Sequence, residues 1–166
     1  MSMHRDEVIR LLNDRAAQEL LQSSIPVRLA YTGLDGFPRV VPLGFLWDGE
    51  RFVICTVPSA PKVRALEAHP KVAMTIDTQS FPPRLLLVRG TASVRLVDGV
   101  PPEYLAASAK QIGAEGMPAF EAQVRALCDQ MVRIDVEPHW AKLIDFETTL
   151  PSAIERMTRR KQQASG

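Results

Sequence analysis

Apolar residues near the start of the chain recur at helical spacing. The residues of this stripe are Val8, Leu11, Leu12, Ala16 and Leu20, in which Leu11 and Leu12 follow Val8 by three and four positions and the later residues follow at intervals of four. Such spacing places them on one face of an amphipathic helix. The sequence therefore predicts a helix over residues 6–21, which the polar, proline-containing segment 22–26 ends.

The pattern then changes to an alternation of apolar and polar residues, which predicts five strands. The predicted strands cover residues 27–32, 39–47, 51–57, 71–77 and 84–97. Turn-forming residues, including Asp48 and Gly49, separate the first three strands. Pro42 predicts an edge strand or a bulge, and Gly90 predicts a bulge or a bend around a barrel corner.

Helical patterns interrupt and follow these strands. Residues 59–69 predict a short helix with Ser59 as its N-cap and Pro61 in its first turn, and Pro70 ends it. Residues 101–111 predict a second helix. A third, core-facing helix is predicted from a stripe of Met117, Phe120, Val124, Leu127, Cys128 and Met131.

The last part of the chain predicts a sixth strand over residues 132–137, a seventh over 140–146, and a solvated basic tail. Many short strands at close spacing favour a barrel, within a mainly β, α+β protein. We expect one domain over residues 1–166. Its expected parts are an N-terminal helix (1–24), a barrel core (25–97), a helical insertion (98–131), closing strands (132–150) and a C-terminal tail (151–166).

Composition narrows the function classes. The chain has 166 residues, of which 46% are hydrophobic and 23% charged, and its net charge is +1. These values are typical of a globular protein and give no strong field toward nucleic acid or an anionic membrane. No apolar run approaches the roughly 18 residues of a membrane span, and the charged N-terminus lacks a signal-peptide core. Two cysteines are too few for a disulfide framework or a zinc site, so we expect reduced thiols, no metal and a cytoplasmic location.

Familiar catalytic motifs are missing from the sequence. It contains neither a glycine-rich nucleotide loop nor a GxSxG nucleophile elbow. Its three histidines, His4, His69 and His139, lack metal-ligand spacing. No carboxylate pair indicates tuned acid–base chemistry, so we assign no catalytic residue. If the protein is an enzyme, a bound cofactor carries the reaction.

One segment combines residue types that suit a bound anion. Thr56, Ser59 and Lys62 surround the start of the predicted helix 59–69, and Arg39 lies on an earlier strand. A helix N-terminus offers free amide groups, to which hydroxyls and a lysine add donors. Residue types alone leave two interpretations open: a phosphate site, or an ordinary helix cap with a solvated lysine.

Residues 25–97 carry an ordered set of short sequences. They read Leu-Ala-Tyr-Thr (29–32), Asp-Gly-Phe-Pro (35–38), Arg-Val-Val-Pro-Leu (39–43), Thr-Val-Pro-Ser-Ala-Pro-Lys (56–62), His-Pro-Lys-Val-Ala (69–73) and Val-Arg-Gly-Thr-Ala (88–92). In order and spacing, this set resembles the pyridoxamine 5'-phosphate oxidase-like family of flavin-binding proteins. The resemblance implies a six-stranded antiparallel split β-barrel that forms a homodimer, with FMN at the subunit interface.

The resemblance also implies a set of cofactor-binding residues. Those beside the flavin ring and ribityl chain would be Arg39, Val40, Val41, Pro42 and Leu43, with Cys55 and Val63 completing the site. The phosphate would be bound by Thr56, Ser59 and Lys62. Leu85 would contact the flavin of the other subunit. Trp140 either flanks the ring or packs in the core or dimer interface.

The sequence departs from the true pyridoxamine phosphate oxidases at several positions. Pro61 replaces a basic residue, Gly44 replaces a lysine, and the basic, histidine-containing substrate motif at the end is missing. Vitamin B6 oxidation is therefore not expected. We expect an FMN-dependent oxidoreductase that exchanges a hydride or two electrons with a small organic substrate. The alternatives are a reductase using the deazaflavin coenzyme F-420, for which Arg28 and Arg64 add basic contacts, and a non-catalytic flavin- or haem-binding module.

Overall fold

The computed structural model describes residues 3–164 as six helices and seven strands. The helices are α1 (Arg5–Asn13), α2 (Arg15–Leu21), α3 (Pro61–Ala68), α4 (Pro102–Ile112), α5 (Met117–Leu127) and α6 (Ser152–Ala164). The strands are β1 (Val27–Thr32), β2 (Pro38–Leu43), β3 (Leu46–Trp47), β4 (Phe52–Thr56), β5 (Lys71–Asp77), β6 (Arg84–Asp98) and β7 (Gln130–Asp145).

All seven strands form one antiparallel sheet in the order β2-β1-β5-β6-β7-β4-β3. The sheet is not closed, since β2 lies at one edge and β3 at the other. The predicted α+β split-barrel class is confirmed. Residues 3–164 contain seven strands, not the six that the resemblance implied. The predicted strand 39–47 divides into β2 and β3 at Gly44 and Phe45, where the Phe45 side chain enters the core. Pro42 lies on the edge strand β2, as predicted for a residue without an amide donor.

The two longest strands pair along their whole length, and the expected strands 132–137 and 140–146 are one continuous strand, β7. The register shifts between Arg89 and Gly90, which pair with Trp140 and Pro138, so His139 is the extra residue of a bulge. A Cβ atom at Gly90 would overlap the carbonyl oxygen of Glu137. The bulge predicted at Gly90 is therefore confirmed, and the close approach of the two strands explains the glycine.

The main core lies between the sheet and the helices α1, α2 and α3. Strand β1 alternates as predicted and buries Val27, Leu29 and Tyr31. The predicted helix 6–21 is wrong in one respect, because it breaks at Asp14. That residue has an extended backbone, and its carboxylate accepts a hydrogen bond from the Ala16 amide at 3.4 Å. Asp14 thus caps a second helix that continues the apolar face in a new direction.

Helices α4 and α5 cover a smaller apolar cluster at the far ends of β6 and β7. The helix predicted from the stripe between Met117 and Met131 is partly wrong. Helix α5 ends at Leu127, whose side chain is 80% exposed, and Met131 is buried as part of β7. Helix α6 has no buried residue. Among residues 3–164, no helix combines the length and the apolar character that a membrane span requires.

Candidate functional site

An open cleft of about 470 Å³ separates the edge strand β2 from the start of helix α3. Its lining consists of Tyr31, Arg39, Val40, Val41, Pro61 and Lys62. Within the described residues, β2 pairs only with β1, so the backbone donors and acceptors along its outer edge have no partner strand. We call this space the β2–α3 cleft.

Lys62 gives the β2–α3 cleft its positive charge. Its side chain is half-buried, and its Nζ atom lies 3.4 Å from the hydroxyl of Thr56. Across residues 3–164, no carboxylate lies within ion-pair distance of this ammonium group. Burial lowers the pKa of Lys62 from its ordinary value. A half-buried cation without a counter-charge favours an anion in the cleft, because the anion restores the electrostatic energy lost on desolvation.

Arg39 forms the opposite wall and is held by the β1–β2 turn. Its guanidinium donates to the carboxylate of Asp35 at 2.7 Å and lies across Gly33, where a Cβ atom would overlap Nε. The pKa of Asp35 is lowered mainly by a hydrogen bond from the Phe37 amide and, to a smaller extent, by the hydrogen bond with Arg39. Because Asp35 already neutralises part of its charge, Arg39 is the weaker of the two cations toward an anion.

The predicted capping role of Ser59 is wrong. The amide of Ala60 donates to the carbonyl of Val57 at 3.1 Å, and this turn makes Ala60 the N-cap and Pro61 the first helical residue. No side chain caps the helix, and Ser59 is exposed. The first amide groups of a helix have no intrahelical partner, so this end remains suited to an anion.

Cys55 and Thr56 point to opposite faces of β4, as neighbours on a strand do. Thr56 faces Lys62, whereas Cys55 packs against the cluster beneath α4 and α5. Burial, and to a smaller extent the negative charge of Glu103, raises the pKa of the Cys55 thiol to about 11. Cys55 is therefore a protonated thiol at neutral pH. Val63 lies in the main core with 7% exposure.

A second cleft lies at the other end of β2, where Pro42, Leu43 and Gly44 face helix α4. Cys55 also lines this space, which we call the β2–α4 cleft. Its lining continues with Tyr104, Ala107, Ser108, Gln111, Ile112 and Phe120. None of the described residues that line this cleft is charged, in contrast to the first cleft.

Leu85 and Trp140 are predicted cofactor residues on strands that line neither cleft. Leu85 is on β6, paired with Asp77 and Ile144. Trp140 is on β7, where the guanidinium of Arg89 lies 4.5 Å from its ring centroid. Within this protomer the structure thus brings residues 39–41 together with Lys62 and its neighbour Thr56, and it places Pro42 and Leu43 in the second cleft. Leu85 and Trp140 join neither group.

The sequence prediction did not include two groups of lining residues. Tyr31 pairs with Arg39 across the hairpin and lines the first cleft, and the register of the turn 33–38 would have indicated it. Helix α4 supplies one wall of the second cleft, and no local pattern predicts where this helix packs. Arg28, considered as a basic contact for a deazaflavin, is paired with Asp77 at 2.8 Å, whereas Arg64 lines a cleft with Arg39. In residues 3–164, no three His, Cys, Asp or Glu side chains are grouped to hold a metal.

Comparisons with known proteins agree with this fold. The family model described as pyridoxamine 5'-phosphate oxidase matches residues 14–142. A solved structure named F420 reductase is 30% identical, with 75% of this chain and 94% of that chain covered and a TM-score of 0.59. HutZ, the haem storage protein from Vibrio cholerae, is 18% identical, with coverages of 79% and 92% and a TM-score of 0.56. General stress protein 26 from Bacillus anthracis is 17% identical, with coverages of 77% and 90% and a TM-score of 0.56.

No curated protein sequence matches the chain. The family model nevertheless spans most of the described residues, from the residue after α1 to a point near the end of β7. The chain therefore belongs to the pyridoxamine 5'-phosphate oxidase-like family.

Proposed function

We propose that the protein is an FMN-dependent oxidoreductase that works as a homodimer and exchanges a hydride or two electrons with a small organic substrate. The half-buried Lys62 ammonium, which has no carboxylate partner within residues 3–164, carries this proposal. It lies at a helix start beside an open sheet edge, where a phosphate and an extended polar molecule can both be bound. Membership of a family with flavin-binding members supports it.

Each residue of the β2–α3 cleft has a separate task in this proposal. Lys62 donates to the phosphate, with the Thr56 hydroxyl beside it and the first amides of α3 at the same end. Arg39 supplies a second, partly neutralised cation. Backbone groups around Val41 and Leu43, along the open edge of β2, would bind the polar side of the flavin. When bound, FMN supplies the two-electron chemistry.

The protein's own part in the reaction is to bind, orient and exclude water. The Cys55 thiol beside the second cleft has a pKa of about 11, so it is not a nucleophile at neutral pH. We assign no acid or base. Leu85 and Trp140 lie outside both clefts of this protomer, and we propose that they complete the site of the other subunit.

A second candidate is a reductase that uses the deazaflavin coenzyme F-420. The 30% identity to the structure named F420 reductase, over 94% of that chain, favours it. The longer anionic tail of a deazaflavin needs further cations, and Arg64 shares a neighbouring cleft with Arg39. Arg28 is engaged by Asp77, so it is not available for this purpose.

The absorption spectrum of the purified protein, before and after titration with FMN and separately with F-420, tests both candidates. We expect flavin bands near 370 and 450 nm (approximate positions set by the cofactor) that remain with the protein after gel filtration. A colourless protein that binds F-420 but not FMN supports the second candidate. A protein that binds neither contradicts both.

A further inference from the structure

The described residues that line the β2–α4 cleft include no charged side chain. Its walls are the end of β2 with Gly44 on one side and Tyr104, Gln111 and Phe120 of α4 and α5 on the other. The rings of Tyr104 and Phe120 are stacked, with centroids 6.0 Å apart and an interplanar angle of 29°. The cleft therefore offers aromatic surface and neutral polar groups.

Glu103, which precedes Tyr104 of the lining, belongs to a cluster of charges that are paired with each other. Arg133 contacts both Glu103 and Asp135, the latter at 2.8 Å, and Arg95 lies 3.9 Å from Asp135. Two carboxylates thus face two guanidinium groups, and the cluster has no net charge. A charged ligand in the cleft would lose hydration without gaining a counter-ion from the lining, and the ammonium of Lys110 on α4 is engaged by the carbonyl of Leu21 and the ring of Phe45.

Helix α4 is fixed at both ends, so the wall that it provides is preformed. The ion pair of Glu103 with Arg133 attaches its first turn to β7. Near its end, Lys110 donates to the carbonyl of Leu21 at 3.0 Å and lies 3.6 Å above the ring centroid of Phe45. A wall attached in this way binds a ligand without first having to become ordered.

The two clefts lie at opposite ends of the same strand. From Arg39 to Leu43 the strand rises by about 13 Å, at about 3.3 Å per residue. A cofactor whose phosphate lies at Lys62 and which follows β2 would have its other end beside Leu43 and Gly44. The uncharged cleft then lies next to the part of the cofactor that reacts.

We infer that the β2–α4 cleft binds the organic substrate, and that this substrate is an uncharged compound with a planar ring. The inference rests on the proposed function and assigns the substrate class for that site. The ring packs against the Tyr104–Phe120 pair, and the Tyr104 hydroxyl, which makes no hydrogen bond within the described residues, donates to a polar group of the ligand.

The test compares two probes of equal ring size by isothermal titration calorimetry at pH 7. 2-Naphthol is neutral, and 2-naphthoate carries a carboxylate. With the FMN-loaded protein we expect 2-naphthol to bind at least about tenfold more tightly than 2-naphthoate, the cost of desolvating an unpaired charge. Equal or tighter binding of 2-naphthoate, or no binding of either probe, would overturn the inference.

Variants of α5 locate the binding site. Phe120→Ala removes one aromatic wall and is expected to weaken 2-naphthol binding about tenfold. Phe120→Leu retains apolar packing without the ring and serves if the alanine variant does not fold. The matched control is Leu127→Ala, on the same helix but 80% exposed and outside the lining, which should leave binding unchanged. Unchanged binding in both Phe120 variants would overturn the assignment.

The same titrations without FMN separate this inference from the proposed function. If the protein binds no FMN but binds 2-naphthol in a Phe120-dependent manner, the proposed function fails and the cleft assignment stands. If it binds FMN but not 2-naphthol, the cofactor proposal stands and the substrate class is wrong.

Discussion

Removing the charge of Lys62 by Lys62→Ala should weaken FMN binding strongly without unfolding the protein. The ammonium has Thr56 as its only polar contact within residues 3–164, so its charge is available to a phosphate. A charge-assisted hydrogen bond of this kind contributes about 1.5–3 kcal/mol. The dissociation constant of FMN should therefore rise about 10- to 150-fold.

Riboflavin, which lacks the phosphate, provides the internal comparison. The dissociation constant of riboflavin, measured by quenching of flavin fluorescence, should differ less than about threefold between wild type and Lys62→Ala. Because riboflavin has no phosphate to contact Lys62, the substitution should change its binding free energy by less than about 0.7 kcal/mol. Lys71→Ala is the matched control, since Lys71 is exposed at the start of β5 and lines neither cleft. Urea unfolding should show that the free energy of unfolding of Lys62→Ala changes by less than about 1 kcal/mol.

Two results would refute the reasoning about Lys62. One is an unchanged FMN dissociation constant in a folded Lys62→Ala variant. The other is an equal loss of FMN and riboflavin binding, which would mean that the substitution disturbs the cleft and not a phosphate contact.

Three further predictions concern the thiol, the buried lysine and the bulge. In a Cys128→Ser background, Cys55 should react with Ellman's reagent at pH 7.5 about tenfold more slowly in the native chain than in the unfolded chain. The raised pKa of Cys55 lowers the fraction of thiolate more than it raises the nucleophilicity of that thiolate. Equal rates in the two states would contradict this. Burial lowers the pKa of Lys110 to about 8, so from pH 8 to 10 the unfolded chain binds more protons and wild type should gain stability relative to Lys110→Met. Because solvent screens the partly exposed ammonium, we expect a gain of about 1 kcal/mol in urea titrations; parallel pH profiles would contradict this. Gly90→Ala should cost about 1–3 kcal/mol in thermal unfolding because its methyl group overlaps the backbone of Glu137, whereas Gly44→Ala, which meets only Ala107 at 4.0 Å, is the control.

The strands were predictable because local periodicity reflects which face of each strand is buried. Strand β1 alternates along its whole length and was predicted with its observed bounds. The helix break at Asp14 was not predicted, because the apolar spacing continues through this residue. Only the extended backbone of Asp14 reveals the cap. The sequence predicted separate strands over 132–137 and 140–146, yet Pro138 lies within β7 opposite Gly90, where the bulge shifts the register.

The candidate site was predictable only where neighbouring segments meet. Thr56 and Lys62 are six residues apart, and Arg39 follows from the resemblance, so the sequence indicated the β2–α3 cleft. Ser59 was misassigned because the turn from Val57 to Ala60 decides where the helix begins. The β2–α4 cleft joins residues 42–44 with residues 104–120, and only long-range contacts such as Glu103 with Arg133 determine their approach.

A crystal structure of the protein with FMN tests the central claim most directly. The account predicts the FMN phosphate within about 3 Å of the Lys62 Nζ atom, with the rest of the cofactor along the outer edge of β2 toward Leu43. A phosphate bound elsewhere, with Lys62 facing solvent, would contradict the account.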